Sequence, residues 1–189
     1  MKNIRICVIM VVMIVSLVSA KNVLNDTTPL IEDTNGSVGN YVIPLQLSLF
    51  APVQMISSGK DITGLKLNII YGYNYGINGI DIGIASKAKN TIALQCNLIS
   101  IVEETGQGLQ LGLINLAEDY SGAQVGLFNL CDSQLSGCQL GVFNYAPICT
   151  GMQFGLINSC SSMRGMQFGL VNIIQESNVP FMPILNMSF

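Results

Sequence analysis

The sequence predicts an all-β chain: an antiparallel meander of about ten strands closing as a small β-barrel, with a two-sided β-solenoid of 14–15 residues per coil as the competing architecture. Three observations carry this. A phrase of the form Gly-x-Gln-x-Gly-x-x-Asn recurs through the second half, its side chains alternate in character, and the spacing between copies alternates too. Fixed-period self-similarity settles architecture before any single residue does.

The strict copies open at Gly108 (GLQLGLIN), Gly122 (GAQVGLFN), Gly137 (GCQLGVFN), Gly151 (GMQFGLIN) and Gly165 (GMQFGLVN). Weaker copies open at Gly64 (GLKLNIIY), Gly79 (GIDIGIAS) and Ala93 (ALQCNLIS), so successive starts are separated by 15, 14, 15, 14, 15, 14 and 14 residues. Pro44–Ile56 and Pro180–Phe189 read as atypical terminal copies, as repeat arrays have. The alternating spacing fits strands that alternate direction, each end of the sheet having its own turn length.

With the opening Gly as position zero, positions one, three and five are apolar (Leu109, Leu111 and Leu113; Met152, Phe154 and Leu156), while zero, two and four read Gly-Gln-Gly. A strand sends neighbouring side chains to opposite faces, so one face is aliphatic and the other small and polar. Gly112, Gly126, Gly141, Gly155 and Gly169 recur inside the phrase, where glycine is costly unless something approaches closely. They predict a crowded face, the inside of a narrow structure. Gln110, Gln124, Gln139, Gln153 and Gln167 share that face and, if buried, must hydrogen-bond to neighbours. Asn115, Asn129, Asn144, Asn158 and Asn172 stand where the alternation breaks, and are expected to close each strand in a left-handed conformation. The amide rows read as structural ladders; the sharper alternative is an exposed polar stripe for a surface ligand such as a glycan.

The barrel reading puts the aliphatic face outward to lipid. The chain also ends on Phe189 after Leu185 and Met187 in alternation, similar to the last strand of bacterial outer-membrane barrels. Against it, positions one to five span roughly 16 Å, whereas a lipid band is about 25 Å tall. A bulge turning positions six and eight outward, for example Phe128 and Leu130, would repair the shortfall. The solenoid stacks identical residues directly but leaves the alternating period unexplained.

Composition narrows the setting. Charged residues make up 10% of the chain, hydrophobic ones 50%, and mean hydropathy is +0.51. Lys2 and Arg5, the apolar run Ile6–Val18 and Val18-Ser19-Ala20 predict a signal peptide over 1–20, followed by a flexible leader over 21–40 and one repeat-built β domain over 41–189. After that signal six Lys and Arg face eleven Asp and Glu, a net of about −5, which argues against a nucleic-acid partner. There is no His, so a nucleophilic Ser or Cys lacks its usual base and no His-containing zinc site is available. No catalysis, cofactor or metal is expected.

Of the cysteines past the signal, Cys96 and Cys138 fall in apolar slots, Cys131 and Cys160 near strand ends and Cys149 in a connection. A Cys131–Cys138 bridge is one option for the odd set. The acidic pairs Glu103-Glu104 and Glu118-Asp119 read as solvated turns. Tyr71, Tyr73 and Tyr75 read as a strand and turn with surface tyrosines, a ligand-contact loop being the sharper alternative.

The phrase GLQLGLIN and its relatives, with PLQLSLFAP before them and PILNMSF after, resemble the bacterial surface-repeat family typified by leptospiral outer-surface proteins. The resemblance covers residues 44–189, with departures at Lys66, Asp81 and Asn97. It implies an exported, envelope-associated protein without catalytic residues to carry over. The expected function is an exported surface protein of structural or adhesive type, in contact with the outer-membrane bilayer. The alternative is a soluble secreted or periplasmic solenoid that acts as a binding module.

Overall fold

The computed structural model describes residues 44–50, 53–54 and 61–188, which wind as an all-β solenoid; the closed antiparallel barrel is not formed. The expected signal peptide, the leader and Phe189 lie outside the described residues. One sheet holds β1 (Leu45–Phe50), β2 (Val53–Gln54), β3 (Ile62–Leu111), β4 (Ile114–Val125), β5 (Phe128–Leu140), β6 (Phe143–Tyr145), β7 (Ile148–Phe154), β8 (Ile157–Cys160), β9 (Ser162–Ile174) and β10 (Phe181–Ser188).

Each copy of the phrase lies on the copy before it. Gly108 pairs with Gly122, Gly122 with Gly137, Gly137 with Gly151 and Gly151 with Gly165, parallel and in register. The physical reason the barrel loses is that parallel register sets each amide against its own counterpart about 4.8 Å away, within reach of a direct hydrogen bond. An antiparallel neighbour would oppose different positions of the phrase and break the match.

The alternating spacing has a different cause from the one expected. In the register of β3 on β4, Val102 pairs with Ala117 and then Thr105 with Asp119, so Glu103 and Glu104 oppose Glu118 alone. In β4 on β5, Ala117 pairs with Cys131 and then Asp119 with Gln134, so Asp132 and Ser133 oppose the same Glu118. The longer coils carry their extra residue as a bulge at one corner. Strand direction never changes there.

At the other corner the chain bends at Gly112–Leu113, Gly126–Leu127, Gly141–Val142 and Gly155–Leu156. The bend resets the alternation, turning positions six and eight outward and position seven inward. Asn115, Asn129, Asn144, Asn158 and Asn172 therefore lie inside the lumen, and none has a positive φ. That corrects the expectation that they close strands in a left-handed conformation. Within the phrase the positive φ falls instead on the opening glycines: Gly137 sits at φ 141°, and a Cβ there would run into the Gly122 carbonyl oxygen.

The solenoid is closed off at its C-terminal end by β10, which runs antiparallel to β9 with a bulge between Met182 and Ile184. Pro183 offers no N–H in that strand, and Ile184 takes a φ of 71°. Proline and a bulge on an edge strand oppose further strand addition. Half of the lumen is apolar, filled by Val102, Ala117, Tyr120, Cys131, Leu135, Ala146, Cys149, Cys160, Met163 and Ile174. Half is amide.

Gly137→Ala is expected to destabilise the fold by about 3 kcal/mol, because the new Cβ meets backbone at a φ that L-residues avoid; urea unfolding followed by circular dichroism measures it.

Candidate functional site

The five glutamines and five asparagines of the strict copies are all 0% exposed. They form two ladders within the lumen, buried and not presented as a stripe on the surface. Gln167 Nε2 donates to Gln153 Oε1 at 2.7 Å, Gln153 to Gln139 at 2.7 Å, Gln139 to Gln124 at 2.9 Å, Gln124 to Gln110 at 2.7 Å and Gln110 to Gln95 at 2.9 Å. The asparagine ladder donates the other way: Asn115 to Asn129 at 2.8 Å, Asn129 to Asn144 at 2.9 Å, and Asn144 to Asn158 and Asn158 to Asn172 at 2.8 Å each. Each of these four donors also bonds a backbone carbonyl of the next coil, such as Asn129 to Leu140 O at 3.0 Å, which staples the bend. Gly112, Gly126, Gly141, Gly155 and Gly169 leave the room this requires, since a Cβ on any of them would press on the preceding coil and an asparagine side chain.

The departures from the repeat at Lys66, Asp81 and Asn97 converge. Asp81 occupies the glutamine position and is 0% exposed. Its Oδ1 accepts from Asn68 Nδ2 at 2.7 Å, and its Oδ2 accepts from Gln95 Nε2 at 3.1 Å and Asn97 Nδ2 at 3.2 Å. Lys66, also 0% exposed, donates Nζ to Ser86 Oγ at 3.0 Å. Burial lowers the Lys66 ammonium from 10.5 to about 8, with the nearby Asp81 carboxylate opposing the drop.

A carboxylate only accepts, so Gln95 must present N–H to Asp81; its oxygen is then left to accept from Gln110, and so on to Gln167. One buried charge fixes the direction of the whole glutamine ladder. At the far end Gln167 Oε1 and Asn186 Nδ2 each lack a partner, yet they belong to residues paired in register across β9 and β10.

The outside of the coils is aliphatic over the columns at positions one, three, five and six. Leu113, Leu127, Leu156 and Leu170, stacked at the bend, are 47%, 46%, 50% and 66% exposed. Phe154 and Phe168 stack with centroids 5.1 Å apart and planes 2° from parallel. On this side of the coil polarity is inverted, with carboxamides inside and hydrocarbon outside.

Charged side chains gather at the bulged corner. Lys87 pairs with Glu103 at 2.7 Å and Lys89 with Glu104 at 3.7 Å. The same ammonium groups lie 5.7 Å and 5.2 Å from the ring centroids of Tyr73 and Tyr75. Glu103 and Glu104 are therefore engaged as ion pairs. Tyr71 is partly buried, and burial with the nearby Glu103 pushes its hydroxyl up to about 12. Asp119 Oδ1 accepts from the Gln134 backbone N–H at 3.1 Å.

All five thiols among the described residues are free, including Cys131 and Cys138. Burial raises Cys131 to about 11 and Cys149 and Cys160 to about 12, which keeps them protonated and poorly nucleophilic. Among the described residues no cluster of acidic and thiol side chains could hold a metal ion. No known family, curated protein or solved structure matches this chain.

Two outcomes are expected. Asp81→Asn should cost about 3 kcal/mol in urea unfolding by stranding the Lys66 charge, and the Lys66→Met/Asp81→Asn double variant should recover most of it. Between about pH 8 and 10.5 the unfolded chain holds the Lys66 proton that the folded chain has released, so the unfolding midpoint should rise with pH across that window. Lys66→Met should flatten the rise.

Proposed function

We propose that this chain is an exported, non-catalytic envelope protein of structural or adhesive type that seats its aliphatic outer wall against the outer-membrane bilayer. The observation that carries the reading is the aliphatic outer wall: Leu, Ile and Phe columns face outward while Gln and Asn take the inward positions of the same phrase. A soluble protein rarely leaves so large an apolar surface bare. Coils in the body of the solenoid bond to neighbours on both sides, so an apolar phase against the wall strands none of their backbone groups. The bulged corner carries the ion pairs and gives the molecule a polar side to turn toward water. Resemblance of the repeat phrase to the leptospiral surface proteins and the export pattern at residues 1–20 support the same setting.

A soluble secreted or periplasmic binding module is the second reading. It is favoured by the winding itself, since an open solenoid does not span a bilayer as a closed barrel does.

Flotation with phosphatidylcholine vesicles tests the choice. The chain lacking residues 1–20 should rise with the vesicles, and Leu113→Glu/Leu127→Glu/Leu156→Glu should stay at the bottom while keeping its circular dichroism spectrum. Wild-type protein remaining at the bottom would sink the lipid reading and leave the soluble module.

A further inference from the structure

Four sulfur-bearing residues stand in one outward column toward the C-terminal end of the aliphatic wall. Cys138 pairs with Met152, Met152 with Met166 and Met166 with Met187, each opposite the next across the sheet. All four are at least partly exposed, Met152 and Met187 at 43% and 47%. In the coils before them the same position of the phrase holds Leu65, Ile80, Leu94, Leu109 and Ala123. Hydrocarbon therefore meets the packing needs of this position, and packing alone does not call for sulfur on four successive rungs. The flanking columns carry none on these rungs: Ser136, Thr150 and Arg164 lie on one side, Leu140, Phe154 and Phe168 on the other.

Neighbouring rungs of a sheet are about 4.8 Å apart, and a metal–thiolate bond is about 2.3 Å long. An ion midway between sulfur atoms on successive rungs is thus at bonding distance from both. Thiolate and thioether donors together select Cu(I). Cys138 forms no disulfide, and it is the one thiol in the column. The flanking columns hold no carboxylate on these rungs, so a hard divalent cation finds no charged oxygen ligand. Arg164 lies beside Met166 and repels a cation there, which places the ion at the Cys138 end of the column. Cys96, the other partly exposed thiol, has only Ile82 and Leu111 at the matching positions of the coils around it.

We propose that Cu(I) binds between Cys138 Sγ and Met152 Sδ, with the flexible Met166 thioether reaching back as a third donor. The metal arrives as Cu(I), the Cys138 thiol releases its proton to solvent as the copper–sulfur bond forms, and no electron is transferred. The inference does not rest on the lipid reading, because a soluble solenoid would carry the same column.

The test is NMR of the full chain with isotope-labelled methionine methyl groups, in amine-oxide micelles and chloride-free buffer, during titration with silver nitrate. Ag(I) stands in for Cu(I) without redox chemistry. The methyl signals of Met152 and Met166, assigned from Met152→Leu and Met166→Leu, are expected to shift together along one binding curve, with affinity on the order of 1 µM. Cys138→Ser and Met152→Leu should each weaken binding at this site tenfold or more, while Cys96→Ser leaves it unchanged. Cu(I) held reduced with ascorbate should displace the silver. Methyl signals that stay in place, an affinity indifferent to Met152→Leu, or an equal shift with Zn(II) would each overturn the proposal. Met→Leu keeps the wall apolar, so an unchanged circular dichroism spectrum and unchanged vesicle flotation separate loss of metal from loss of fold or of lipid contact.

Discussion

A carboxamide can bond to an identical carboxamide only if the two are held about 4.8 Å apart in the same orientation. Parallel coils in register provide that spacing, and almost everything else in the structure follows from using it. The asparagine column and the backbone of the preceding coil leave no room for a side chain beside them, so glycine stands there at Gly126, Gly141 and Gly155. Amide N–H and C=O groups that would be costly to bury alone are satisfied by the next coil. Cooperative chains of this kind are demanding at their ends. Here one end meets the Asp81 carboxylate and the other approaches Asn186 on the closing strand.

The apolar outside is a consequence of the same packing. With the inward positions taken by amides, small residues and a band of buried Leu, Met, Cys and Tyr, the aliphatic residues of the phrase are left on the outer wall. An ordinary soluble domain gains its stability by hiding such residues. This one gives much of its interior to hydrogen-bonded amides and leaves hydrocarbon on its outer wall. The ion pairs of Lys87 and Lys89 sit at the corner where the chain bulges, which separates a charged edge from the apolar wall.

Much of this was legible in the residues. The alternation in GLQLGLIN gave strands with one aliphatic and one small polar face, and the recurrent glycine gave a crowded interior. Strand direction was not legible. Spacings of 15 and 14 are equally compatible with turns at two ends of a barrel and with a bulge at one corner, and only the pairing of Glu118 against two residues on either neighbour distinguishes them. Asn misled for a related reason: its turn preference is a local property, whereas Asn129 is held by contacts 14 and 15 residues away, with Asn115 and Asn144. Lys66, Asp81 and Asn97 looked like decay of the repeat. Their spacing of about one coil was the available sign that they meet.

The direction of the ladders makes the coil a unit of exchange. Each inner glutamine accepts from one side and donates to the other, so a further coil placed between two existing ones inherits both bonds and disturbs neither neighbour. Adding or removing part of a coil would set each amide against a different residue, whereas adding or removing a whole coil changes only the height of the stack. Lengthening and shortening by duplication and loss of repeats are therefore open to this chain in its middle and closed at its two ends, where Asp81 and Asn186 have no substitutes.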